Sequence, residues 1–185
     1  DFGLLVGGLI LTGPIAEGRT LSDEALMGEI GPDGNPWVLD SVLSVPADGQ
    51  LLITPGTVVV ATEPEHAIRI QGQATIGSRD GLVVLSNANR QPWTDDAGGT
   101  GGWAGLLISS GDDAVSILNT IVEFAGFGGE PSIGIDGRSV VFEGLILQGN
   151  QRIGVDYTGR ISVNLVRATL ADVNETALRL GDGVS

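Results

Sequence analysis

The chain has 185 residues, no cysteine and no lysine; its nine basic residues are all arginine and its net charge is −14. Such a field repels nucleic acid and anionic membrane surfaces, and the missing residue types exclude Schiff-base, P-loop-lysine, thiol and disulfide chemistry. Hydrophobic residues make up 42% of the chain against 4% aromatic, and each of the 30 glycines would cost about 1 kcal/mol inside a helix, so the composition predicts one all-β domain with a core of Val, Ile, Leu and Ala.

The N-terminal stretch GLLVGGLILTG (residues 3–13) reads as one or two strands. Its apolar part, Leu4–Leu11, is far shorter than the ~20 residues a membrane-spanning helix needs and lacks the basic flank of a signal peptide. No membrane insertion is expected, and Asp1 is taken as a mature N-terminus. TLSDEALMGEIG (20–31) has Thr20 or Ser22 as capping residues, acids in the first turn and apolar Leu21, Leu26 and Ile30; it predicts a short helix that Gly28 keeps short. Residues 1–34 are therefore assigned to an N-terminal strand and cap segment, and 35–185 to the body of the fold.

LLITPGTVVVA (51–61) is a strand-like apolar run broken by Pro55-Gly56. Pro fixes φ and donates no amide hydrogen, while Gly accepts positive φ, so the pair predicts a corner between two strands. Leu51 and Ile53 are expected to point inward before the corner, and Val58 and Val60 after it. Short β-runs with alternating apolar positions continue to the C-terminus: Ile68/Ile70, Leu106/Ile108, Ile133/Ile135 and Ile153/Val155. IGIDG (133–137) recurs as IGVDY (153–157) twenty residues on, and Asn150 and Asn174 lie in similar contexts twenty-four apart. Self-similarity at this spacing predicts a solenoid of roughly six to eight coils, with Asn87, Asn150 and Asn174 at corners.

NPWVLDSVLSVPADGQLLITPGTVVVA (35–61) resembles the opening coils of bacterial right-handed parallel β-helix proteins, the pectate-lyase-like solenoids. AIRIQGQATIGSRDGLVVLSNA (67–88) resembles the coil that follows in that family. GGWAGLLIS (101–109) resembles its Gly-Trp-Gly-Gly-Ile-like coil start, and ILNTIVEFAG (117–126) its L-x-x-V-x-I-x-Y-A-G coil, with Phe124 in place of the usual Tyr and Ala104 in place of Gly. The resemblance covers residues 35–183 and implies a secreted or cell-surface right-handed parallel β-helix, capped at its start by a short strand or helix.

Candidate chemistry is sparse. The loop 87–103 brings together Arg90, Trp93, Asp95 and Asp96, a set able to hold Ca²⁺ through carboxylate oxygens or to stack a sugar on the indole; the competing reading is a solvated insertion whose Trp93 or Trp103 packs back on the scaffold. His66, between Glu63, Glu65 and Pro64, reads as a turn histidine, and no nucleophile motif accompanies it. Asp136 and Asp156 occupy matching places in the 20-residue echo, and a glycosidase needs two carboxylates about 5–10 Å apart. Asp112, Asp113 and Glu123 are further acids, and Arg138, Arg152 and Arg160 are near enough to serve a lyase, but no hydrolase or lyase signature surrounds any of them. The sequence therefore favours a non-enzymatic role, with no cofactor beyond a candidate Ca²⁺.

The two ends suggest that role. An apolar, strand-prone start (Leu4, Leu5, Val6, Leu9, Ile10, Leu11) faces an unfinished last coil, ETALRLGDGVS, with Leu178, Leu180 and Val184. Strand addition of one to the other would join copies end to end into a filament, giving an extracellular structural or adhesive rod. The alternative is a domain that binds or degrades a surface polysaccharide.

Overall fold

The computed structural model describes residues 5–6, 9–10, 19–21, 28–30, 36–89, 102–109, 111, 114–150, 153–158, 163–171 and 176–181. Leu5–Val6 (β1) and Leu9–Ile10 (β2) pair antiparallel with each other, and Arg19–Leu21 (β3) and Gly28–Ile30 (β4) precede the first complete rung. That rung is Trp37–Leu39 (β5), Leu43–Val45 (β6) and Gln50–Ile53 (β7). The second is Val58–Ala61 (β8), Ala67–Ile70 (β9) and Gln73–Ile76 (β10); the third is Val83–Asn87 (β11), Gly105–Ile108 (β12) and Val115–Leu118 (β13). Thr120–Glu123 (β14), Ile133–Asp136 (β15) and Val140–Glu143 (β16) form the fourth, and Ile146–Gln148 (β17), Ile153–Thr158 (β18) and Val163–Val166 (β19) the fifth. Thr169–Leu170 (β20) and Thr176–Leu180 (β21) begin a further one.

Strands in equivalent places stack into three parallel sheets. Sheet A is β3-β5-β8-β11-β14-β17-β20, sheet B is β6-β9-β12-β15-β18-β21 and sheet C is β4-β7-β10-β13-β16-β19. The molecule is thus an all-β parallel solenoid, with five complete rungs among the described residues rather than six to eight. Leu51 lies beside Ala74 and Val155 beside Leu178, both 23 residues on, as the coil period requires. The step into the third rung is longer, with Ile68 beside Leu106 and Ala74 beside Val115, because the chain leaves the stack after β11 and again after β12. The helix expected over 20–31 is met by strands at both of its ends, β3 and β4, which hydrogen-bond to β5 and β7; residues 22–27 lie outside the described set. Their backbone pairing with the next rung outweighs a weak local helix signal.

The interior is one aliphatic column from Leu39 to Tyr157, filled by one face of every strand. Leu51 and Ile53 point into it as expected, but Val58 and Val60 do not. Val59 and Ala61 are the inward pair, and Val58 and Val60 pack with Val84 in a separate cluster. The corner is the reason. Gly56 takes φ 85° and donates to the Leu82 carbonyl at 2.7 Å, and Thr57 remains part of the turn, so β8 starts one residue out of phase. A shift of one residue reverses every side chain of a strand.

The corner from sheet C to sheet A repeats one device: Gly77, Asn119, Gly144 and Arg167 all have positive φ, between 41° and 76°. Asn119 Nδ2 donates to the carbonyls of Ser78 and Arg79, both at 2.9 Å, tying its corner to the rung before. A Cβ on Gly144 would stand 2.2 Å from Asn119 Oδ1. Gly144→Ala should therefore cost about 2 kcal/mol in a urea titration, through strained φ and a displaced carboxamide.

One core group is poorly served. Tyr157 is fully buried, edge-on to Phe142 at 6.4 Å between ring centroids, and its hydroxyl has no hydrogen-bond partner among the described residues. Burial pushes the phenol well above its ordinary value. Stability should hold below pH ~10, where unfolded tyrosine ionises, and fall as pH rises beyond it, because only the unfolded chain readily releases the proton. Tyr157→Phe should raise stability at neutral pH by about 1 kcal/mol and flatten the alkaline decline, as read by denaturation midpoints across that range.

Candidate functional site

The outer face of sheet B carries a depression of about 220 Å³. Alternation creates it. With Ile133 and Ile135 in the core, Gly134 faces outward, and so do its register partners Leu107 and Asp156 on β12 and β18. Gly134 supplies no side chain, and a Cβ there would lie 3.0 Å from Pro131 Cγ and 3.3 Å from Leu107 Cδ2, so the glycine opens the floor and Pro131 and Leu107 wall it. Glu130, Asp136, Asp156, Ser109 and Thr158 complete the rim.

Asp136 and Asp156 both line this depression, but not as a stacked pair. The 20-residue echo is two residues short of the true register: Asp136 lies beside Thr158, and Asp156 beside Gly134. Strand spacing and rise put their Cα atoms about 8 Å apart along the diagonal. Thr158 Oγ1 donates to Asp136 Oδ1 at 3.2 Å, while Asp156, buried, takes a two-point bond from Arg179, with Nε to Oδ1 at 2.8 Å and Nη2 to Oδ2. The rim thus offers carboxylate and hydroxyl oxygens over a small apolar floor. Among the described residues, no three His, Asp or Glu side chains are grouped to hold a metal ion.

The other acids and bases have structural partners. Glu123 is buried on β14, where Ser86 Oγ donates to Oε1 at 2.8 Å and Gln148 Nε2 donates to Oε2 at 2.9 Å, making a polar ladder across three rungs. His66 Nδ1 lies 2.9 Å from the Leu39 carbonyl, which assigns the proton to that nitrogen and makes this a corner histidine. Glu143 lies between Arg79 (Nε at 3.0 Å) and Arg167; the bond from Arg79 holds its carboxyl below the usual range, with partial burial opposing. Asn87 and Asn150 are buried, and Asn150 closes a corner by accepting from the Ala125 amide at 2.8 Å and donating to the Val122 carbonyl at 3.2 Å. Trp103 packs into the core.

Arg90, Trp93, Asp95 and Asp96 lie outside the described residues, as do Asp112, Asp113, Arg152, Arg160 and Asn174. Of the assembly set, Leu4, Leu11 and Val184 lie outside as well; Leu5, Val6, Leu9 and Ile10 form the β1–β2 pair. Leu178 is partly buried against the core and Leu180 is 53% exposed. Arg179 and Glu130 were not singled out by sequence, although Arg179 stands 23 residues after Asp156, one coil period, with the opposite charge.

No helix among the described residues is long and apolar enough to cross a membrane. No family model, curated protein or solved structure matches the chain.

Proposed function

We propose that the chain is a rigid extracellular structural or adhesive rod, akin to the bacterial pectate-lyase-like solenoids, whose copies join end to end. The observation that supports this is the last set of strands. β19, β20 and β21 each keep one edge unpaired among the described residues, and the apolar side chains Leu165, Leu170 and Leu178 around them are only partly buried. Unpaired parallel edges above an incompletely covered core form a template for one more rung. The β1–β2 pair of a second copy is the occupant we assign, added as a two-stranded unit. Negative-stain images and sedimentation of the intact chain should show rods longer than one molecule, and removal of residues 1–13 should leave monomers; compact monomers from the intact chain would refute end-to-end joining. Antibody labelling of intact producing cells tests the surface location.

The depression on sheet B favours a second reading, a polysaccharide-binding or polysaccharide-degrading domain. Carboxylates beside an apolar floor suit a sugar ring, with the hydroxyls on the oxygens and the C–H face on Leu107 and Pro131. Incubation with acidic polysaccharides, with and without Ca²⁺, should then release unsaturated uronates seen by ultraviolet absorbance, or retard the chain in affinity electrophoresis. Asp136→Ala should abolish either signal; if neither signal appears, this reading fails.

A further inference from the structure

Two guanidinium groups near the last strands share one arrangement. Arg167, at the corner after β19, bonds to Glu143 of the preceding rung, and Arg179 on β21 bonds to Asp156 on β18. Both reach back along the stack, and both remain largely open to solvent, their side chains 66% and 55% exposed. A guanidinium carries five donors in a plane, so one carboxylate leaves others for a second acceptor. Val166, 41% exposed, and Leu180 are their sequence neighbours and two of the three large apolar side chains exposed among the described residues.

Unpaired edges, exposed aliphatics and half-used arginines therefore coincide on one end of the rod. The occupant that fits all three is a β-rung presenting carboxylates. A second copy of this chain meets that requirement: at −14 it carries a large excess of carboxylates, and two such copies repel unless cationic groups lie at the contact. We infer that Arg167 and Arg179 select the incoming rung of a second copy by pairing with its carboxylates. This rests on the end-to-end reading above and adds to it the chemistry that chooses the partner.

The test uses the intact chain and an Arg167→Gln/Arg179→Gln double variant, with folding of both checked by circular dichroism and thermal melting. If the intact chain assembles, the double variant decides: sedimentation in about 0.1 M salt should show its assembly weakened at least 10-fold. In about 1 M salt, where the Debye length is near 3 Å, the intact chain should weaken towards the variant. A variant that assembles as well as the intact chain overturns the inference and leaves end-to-end joining standing. If the intact chain stays monomeric, joining fails and a peptide decides instead. Acetyl-Glu-Val-Glu-Val-Glu-amide should shift nuclear magnetic resonances of residues 163–180 in the intact chain and not in the variant; equal or absent shifts overturn the inference.

Discussion

Trp103→Ala should lower the unfolding free energy by about 3–5 kcal/mol, more than any other single substitution considered for this chain. The indole is 1% exposed, and its Nε1 donates to the Glu123 carbonyl at 2.9 Å. Its own carbonyl accepts from the amides of Gly126 at 2.9 Å and Phe127 at 3.2 Å, so the residue joins the third rung to the fourth through backbone and side chain together. It also stands where the chain re-enters the stack before β12. Alanine there leaves a cavity in a column with no large neighbour free to collapse into it. Trp103→Phe should recover about half of the loss, keeping most of the packing and forfeiting the hydrogen bond. Urea denaturation of the three proteins, with an unchanged slope, gives both numbers; a loss below about 1 kcal/mol for alanine would mean that the indole is not in the core.

Arg138→Ala should cost about 3 kcal/mol, an unusual penalty for an arginine. The side chain is buried, and Nη1 donates to the Gln71 carbonyl at 2.8 Å across 67 residues of sequence. Gln71 follows β9 in the second rung and Arg138 follows β15 in the fourth, so one side chain bridges the sheet B to sheet C corner over the rung between them. Gly111 lies against the same guanidinium: a Cβ there would approach Nη1 to 3.2 Å. Arg138→Lys should rescue little, because an ammonium cannot reproduce the planar fork. Equal stability of the lysine variant and the parent would show that charge alone is needed there.

The parallel solenoid was legible because its signals are redundant. Coil-length spacing, corner glycines and inward pairs such as Leu51/Ile53 and Ile68/Ile70 all agree with the stack. The phase of single strands was less legible. β8 is apolar at every position, so alternation gives no inward side there, and only the length of the corner before it decides that Val59 rather than Val58 enters the core. The IGIDG and IGVDY echo misled by two residues, which preserves inward and outward faces but misplaces Asp136 against Asp156.

The depression itself is a tertiary feature. It depends on Gly134 being flanked by Leu107 and Asp156 from other coils, 27 and 22 residues away. Glu123 shows the same limit from the other side, since in the sequence it is one acid among many. Only the register brings Ser86 and Gln148 to its two oxygens and makes it a buried structural carboxylate. Charge pairs one coil apart, Glu143 with Arg167 and Asp156 with Arg179, are readable once the register is known and invisible before it.

The stacked parallel register underlies every functional statement above, and methyl-resolved nuclear Overhauser spectroscopy tests it directly. In sheet C the inward ladder runs Ile53, Ile76, Ile117 and Phe142, each beside the next at one strand spacing, about 4.8 Å. Strong cross-peaks should join Ile53 to Ile76, Ile76 to Ile117 and Ile117 to Phe142, with none of comparable strength from Ile53 to Ile117. Cross-peaks that instead pair neighbouring strands of the chain in antiparallel order, such as β7 with β8, would contradict the solenoid and the end-to-end rod with it.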